Sequence, residues 1–198
     1  MASPTSERIL DVALESFGLR GYDATSLDAI ASQLEVSKQT VLYWFPSKEA
    51  LMAAVIDRST GELTEALESA LGNASAGWGR VEAIVRSVFR LASSNPALLG
   101  LLREVARLGP PSATQMTRAL DPLLVRATTF LEVEMDEGRM RRSDPSLLLL
   151  AMYSTVIGMV TEVEVLRALG EEPTARSLVR RRRDVLELLR SALMVEPN

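Results

Sequence analysis

Apolar residues recur at intervals of three and four along almost the whole chain, and no stretch sustains the alternation of a half-buried strand. The pattern predicts an all-α fold of about nine helices. Ile9, Leu10, Ala13, Leu14 and Phe17 line one face of a helix over 6–20, which Gly21 is placed to end in the left-handed conformation. Ser26 can cap a short helix over 27–34 and Ser37 another over 38–45, with a tight turn at Glu35 and Val36 between them and Pro46 as a stop. Ser47 opens a longer helix over 48–71, and the glycine- and alanine-rich stretch 72–79 is a loop. Further helices are expected over 78–94, 96–108, 112–137 with a break at Asp121 and Pro122, 145–169 and 174–194. Prolines at 96, 122, 145 and 173 fall where helix starts are expected, since a first-turn proline loses no intrahelical bond. The expected division is a module of residues 1–50 and a larger one of 51–198, connected by the helix over 48–71.

The helix over 145–169 is apolar nearly all round until Glu162, so it needs burial on more than one side. Its own domain can supply one side and a second copy of the chain the other. With the last helix it would form a four-helix dimer interface, for which the candidate residues are Leu148, Met152, Met159, Val185, Leu189 and Leu193. Ser154, Thr155 and Gly158 interrupt its apolar run, which falls short of the roughly 18 residues of a membrane span. No membrane partner is expected.

The 198 residues contain neither cysteine nor histidine. Disulfides, thiolate or imidazole metal sites, and Ser-His-Asp or Cys-His catalysis are thereby excluded. An enzyme would have to work with Asp, Glu, Lys, Arg or Tyr, and no convergent motif of that kind is present. No catalytic residue, metal or cofactor is therefore expected. The N-terminus lacks the basic and apolar regions of a secretory signal, and the absence of cysteine fits a cytoplasmic location. With 26 acidic against 22 basic residues the net charge is −4, so this is not a strongly basic chain.

The segment 27–45 nevertheless has the parts of a helix-turn-helix, whose second helix can enter a DNA major groove. Ile30, Ala31 and Leu34 would face inward, Val36 would plug the turn, and Val41 and Phe45 would anchor the second helix. Lys38, Gln39, Thr40, Tyr43 and Trp44 are left for its exposed side, donors and flat rings suited to phosphates and base edges. Trp44 suits core and DNA about equally, Tyr43 could instead pack its helix inward, and Gln39 could be solvated or read adenine.

Arg8-Ile9-Leu10, Gly21-Tyr22, Thr25-Ser26, Ile30-Ala31, Val36-Ser37-Lys38 and above all Phe45-Pro46-Ser47-Lys48-Glu49-Ala50-Leu51 resemble the N-terminal domain of the TetR family of bacterial regulators. The resemblance covers about the first 55 residues. It implies a three-helix DNA-binding domain, a fourth helix linking it to a ligand-sensing half, and a homodimer on double-stranded operator DNA, released by a small-molecule effector. The DNA-contact candidates are Thr25, Ser26, Ser37, Lys38, Gln39, Thr40, Tyr43, Trp44 and Lys48. Two positions depart from the family pattern. Glu35 stands where glycine is usual, and a left-handed residue there would cost about 1 kcal/mol, which favours a turn of another shape. Leu42 stands where a phosphate-contacting tyrosine is usual, with Tyr43 as its substitute.

Residues 1–50 hold four cations against seven anions, so few phosphates can be neutralised and a shallow salt dependence is expected. The helices over 78–137 would enclose an apolar effector pocket. Its candidate residues are Phe89, Arg103, Met116, Phe130, Met152 and Tyr153, with Arg86, Glu104, Arg107 and Gln115 as further polar handles. The arginines at 180–183 read as a solvated face, and each methionine more readily as core than as ligand contact. The competing reading is a helical adaptor or small-molecule-binding protein with a degenerate DNA-binding domain.

Overall fold

The computed structural model describes residues 4–195 and, among these, ten helices. They are α1 (Pro4–Arg20), α2 (Leu27–Gln33), α3 (Lys38–Trp44), α4 (Lys48–Gly72), α5 (Trp78–Ser94), α6 (Pro96–Leu108), α7 (Ser112–Asp136), α8 (Pro145–Thr161), α9 (Val163–Ala168) and α10 (Ala175–Leu193). The helix starts follow local chemistry. Ser26, Ser37, Asn95, Asp144 and Thr174 each accept a backbone N–H of the first turn, and Pro96 and Pro145 stand where no intrahelical donor is lost. Gly21, at φ 91°, closes α1 as expected.

Two boundaries differ from the sequence-based expectation. The helix α7 runs unbroken through Pro122. Proline leaves the Arg118 carbonyl without its helical donor, but Arg118, Asp121 and Pro122 are exposed, so water can take the missing place. The stretch 145–169 is instead broken at Glu162, whose ψ of 63° leaves the helical range and separates α8 from α9. Hydrophobic periodicity runs straight across that break.

The chain forms two compact units, drawn differently from the 1–50 and 51–198 division. The first contains the residues up to Leu63 together with Asn95–Leu120. Its core is built from Ile9, Phe17, Ile30, Val41, Leu51, Val55, Ile56 and Leu101, each 0% exposed. Helix α6 packs along α1, and two glycines set the approach. A Cβ on Gly100 would lie 2.1 Å from the Gly18 carbonyl oxygen, and one on Gly18 would lie 2.1 Å from that of Ala97. Helix α6, expected in the sensor, is thus part of the compact unit that contains α1–α3.

The second unit contains Thr64–Ser94 and the chain from Asp121 onward, with α5, α8 and α10 packed on one another. Val81, Val85, Phe89, Leu131, Met135, Met140, Val185, Leu189 and Leu193 form its core. Buried Glu134 binds Arg139 through both oxygens, at 2.6 and 2.8 Å, and the guanidinium of buried Arg181 donates to the Met159 carbonyl at the end of α8. Of the expected interface set, Val185, Leu189 and Leu193 are buried in the chain's own core, while Leu148, Met152 and Met159 are half-buried. The large apolar side chains left exposed on α8 and α10 are Leu147, Leu150, Tyr153, Val179 and Leu188. Among the described residues no helix is long and apolar enough to cross a membrane, and no cluster of acidic residues could hold a metal ion.

Candidate nucleic-acid interface

Helices α2 and α3 are each only seven residues long, too short to be stable alone, so caps and packing must hold them. Ser26 accepts the Ala29 N–H and Ser37 the Thr40 N–H, both at 3.1 Å. Ile30, Ala31, Leu34 and Val41 are buried and Val36 and Phe45 half-buried, the inward set expected from their spacing. Between the helices the Glu35 N–H bonds to the Ser32 carbonyl and the Val36 N–H to that of Ala31, the two bonds of a Schellman motif. Glu35 adopts φ 57°, alone among the described non-glycine residues in having positive φ. The expectation of a differently shaped turn is therefore corrected: the left-handed turn is kept despite the side chain, because two backbone bonds and the burial of Leu34 over-determine it. Glu35→Gly should remove the left-handed cost at the expense of some unfolded-state entropy, a net stabilisation of about 0.5–1 kcal/mol readable by chemical denaturation. An unchanged midpoint would argue that the turn is unstrained.

The outward face carries most of the expected contacts. Gln39 is exposed, Thr40 half-buried, and Ser26 and Ser37 exposed at the two helix starts. Tyr43 is 80% exposed and meets Trp44 edge to face, with ring centroids 5.2 Å apart. At 37% exposure Trp44 divides its surface between core and solvent. Lys38 faces out but its Nζ is 2.8 Å from Asp28 Oδ2, an ion pair that a phosphate would have to replace. Thr25 is corrected: it is 4% exposed, and its hydroxyl donates to the Gly21 carbonyl, so it staples the α1–α2 loop and does not present itself to DNA.

Below this face the structure adds residues that were not read as part of it. Tyr22 follows the glycine that ends α1. Its N–H donates to Glu104 Oε1 at 2.7 Å, its ring lies 5.4 Å from that of Phe17, and its hydroxyl donates to Glu49 Oε1 at 3.2 Å. Lys48 Nζ stands 4.0 Å from the centre of the Tyr22 ring. Arg107 binds Glu104 and reaches Asp23 at 2.9 Å, so α6 grips the α1–α2 loop at two points. The spacing of Glu104 and Arg107 on one helix face was a signal for an ion pair, but not for its target 82 residues away.

Burial, the hydrogen bond to Glu49 and the nearby carboxylates push the Tyr22 hydroxyl up to about 12. Hydrogen bonding by Arg107, and more weakly by the Tyr22 N–H, holds the Glu104 carboxyl below its usual range against the effect of burial. The same sense applies to Glu134, through Arg139. A depressed carboxylate contributes stability above its unfolded value and loses it as the pH falls through the folded one. Stability should therefore be flat from pH 7 to about 5 and fall below about 4.5, with the fall reduced in Glu104→Gln. An equal acid loss in that variant would remove Glu104 from the account.

The effector candidates are scattered. Arg103 and Met116 belong to the first unit, Phe89, Phe130, Met152 and Tyr153 to the second. Phe89 and Met116 are buried core, Phe130 lies under the Arg80 guanidinium, and Arg103 and Tyr153 are exposed. Of the further handles, Arg86 pairs with Glu82, and Gln115 donates to the Ala53 carbonyl and to Asp57. A groove of about 690 Å³ in the first unit is lined by Asp57, Pro110, Pro111, Thr114, Gln115 and Arg118, none of them among the six candidates.

A capped pair of short helices, with a polar and aromatic outer face on the second, defines a helix-turn-helix regulator. The family model for "Bacterial regulatory proteins, tetR family" matches residues 9–55. The HTH-type transcriptional regulator RutR of Escherichia coli K12 is 27% identical over 154 residues, which cover 77% of this chain and 72% of RutR. The fold is that of the ketosteroid transcriptional regulator KstR2 of Mycobacterium tuberculosis, with TM-score 0.79, 16% identity and coverage of 99% and 98%. It is likewise that of the regulator FadR of Bacillus subtilis in complex with stearoyl-CoA, with TM-score 0.77, 20% identity and coverage of 94% and 98%. Residues 9–55 are thus similar to the N-terminal domain of the TetR family of bacterial regulators, and the chain as a whole shares the fold of these regulators.

Proposed function

We propose that the protein is a repressor that binds an inverted-repeat operator as a homodimer and leaves it when a small apolar molecule binds. The observation that carries the reading is the outward face of α3, where Gln39, Thr40 and Tyr43 stand on a helix fixed by the Ser37 cap and the buried Val41. Gln39 and Thr40 suit base edges, while Ser26, Ser37, Lys38, Trp44 and Lys48 suit phosphates and sugars. No catalytic role is assigned to any residue. The DNA-reading function is assigned to residues 1–50 and effector sensing and dimerisation to 51–198, a division by role that need not coincide with compactness.

The dimer follows from α8. This helix has no charged residue in 17 positions and yet leaves Leu147, Leu150 and Tyr153 largely in solvent, a face that a second copy would cover. A two-fold pair would set its recognition helices about one DNA turn, roughly 34 Å, apart. The apolar character of the effector is drawn from the largely aliphatic second-unit core and from the acyl chain of the stearoyl-CoA in the FadR complex. Release requires that the effector bind the DNA-incompetent state more tightly.

Selection of bound sequences from random duplex DNA tests this reading. It should enrich an inverted repeat. Recovery of no common sequence by folded, dimeric protein, with a protein partner retained instead, would favour the adaptor reading.

A further inference from the structure

The chain has two lysines, Lys38 and Lys48, and the structure holds them in opposite ways. Lys38 is closed on a carboxylate, Asp28, at 2.8 Å. Lys48 stands at the first position of α4, 4.0 Å above the centre of the Tyr22 ring. A ring face attracts an ammonium electrostatically and contacts it on one side only. It accepts no conventional hydrogen bond, so the donors turned away from the ring remain available to an anion. An ion pair, by contrast, must be broken before a phosphate can enter.

The ring itself is fixed on three sides. Glu104 of α6 holds the Tyr22 N–H at 2.7 Å, Phe17 of the α1 core meets the ring, and Glu49 accepts the hydroxyl at 3.2 Å. The Glu49 carboxylate held there stays close enough to Lys48 to be stabilised by its charge. We infer that Tyr22 is a positioning residue for DNA binding: its ring holds the Lys48 ammonium at the start of α4 with its donors presented to a backbone phosphate. This rests on the operator-binding role proposed above and extends it to a residue that does not itself touch DNA.

The test is a double-mutant cycle on the duplex recovered by selection. Lys48→Ala should weaken binding and lower the salt slope of the dimer by about two, one for each subunit. Tyr22→Leu should weaken binding about three- to tenfold and lower the slope, and it should have no further effect in the Lys48→Ala background. Tyr22→Phe, which keeps the ring and loses the hydroxyl, should bind within about twofold of wild type. A Tyr22→Leu loss of equal size with and without Lys48 would make Tyr22 merely structural and overturn the inference, as would no loss at all. No effect of Lys48→Ala would instead overturn the phosphate role of Lys48 on which the inference stands. A measurement on unmutated protein is independent of folding defects. In the DNA-free dimer the ε-methylene protons of one lysine should be shifted upfield by the ring current, with Lys38 as the internal reference, and two unshifted lysine signals would contradict the geometry.

Discussion

Gly100→Ala should destabilise the N-terminal unit by about 3 kcal/mol, although it adds a single methyl group. The reason is where that group would go. Its Cβ would sit 2.1 Å from the Gly18 carbonyl oxygen, and no side chain can rotate away because the obstacle is backbone. Helices α1 and α6 would have to separate, opening gaps beside the fully buried Phe17 and Leu101. Gly18→Ala should act alike, meeting the Ala97 carbonyl at 2.1 Å. The control is Gly61→Ala in the interior of α4, where a Cβ meets nothing within 4 Å. That variant should gain up to about 1 kcal/mol from helix propensity. Equal stability of wild type and Gly100→Ala in chemical denaturation would show that α6 does not dock on α1 this closely.

The second large effect is expected on assembly. Leu147 is 63% and Leu150 58% exposed, so replacing both with glutamate leaves the fold of the single chain intact. In the proposed dimer the same carboxylates would be buried without partners, at a cost of several kcal/mol each. The double variant should sediment as a monomer. It should also lose about 10²–10⁴-fold in affinity for an inverted repeat, because two linked reading heads become one, while a single half-site is bound as by wild type. A variant that remains dimeric would move the interface elsewhere on the surface.

These expectations separate what the amino-acid order carries locally from what depends on tertiary packing. The serine caps at 26, 37 and 47 and the terminating Gly21 were legible because each acts within one helical turn. The inward residues of the helix-turn-helix were legible for the same reason. The docking of α6 was not, because it depends on Gly18 and Gly100, 82 positions apart, and either glycine alone reads only as a weak point in a helix. The subunit face was half legible. Helical spacing marks α8 as apolar on more than one side and gives α10 one apolar face, but it does not say which of these faces the chain's own core claims, and Val185, Leu189 and Leu193 went to that core. Thr25 carries the hydroxyl of a phosphate contact, and only its bond to the Gly21 carbonyl reveals that it is spent on the loop. At Glu35 the rule for left-handed residues identified the cost, while the backbone bonds around it decided the outcome.

The most direct measurement is the affinity of wild type and of Lys38→Ala/Gln39→Ala/Thr40→Ala for the duplex recovered by selection. The Ser37 cap uses the backbone N–H of residue 40, which alanine retains, and Val41 still anchors the helix, so the triple variant should fold as wild type does. Loss of base and phosphate contacts worth about 1–3 kcal/mol each should lower specific affinity by at least about 100-fold. A folded, dimeric triple variant that binds the duplex as tightly as wild type would contradict the assignment of α3 as the DNA-reading helix.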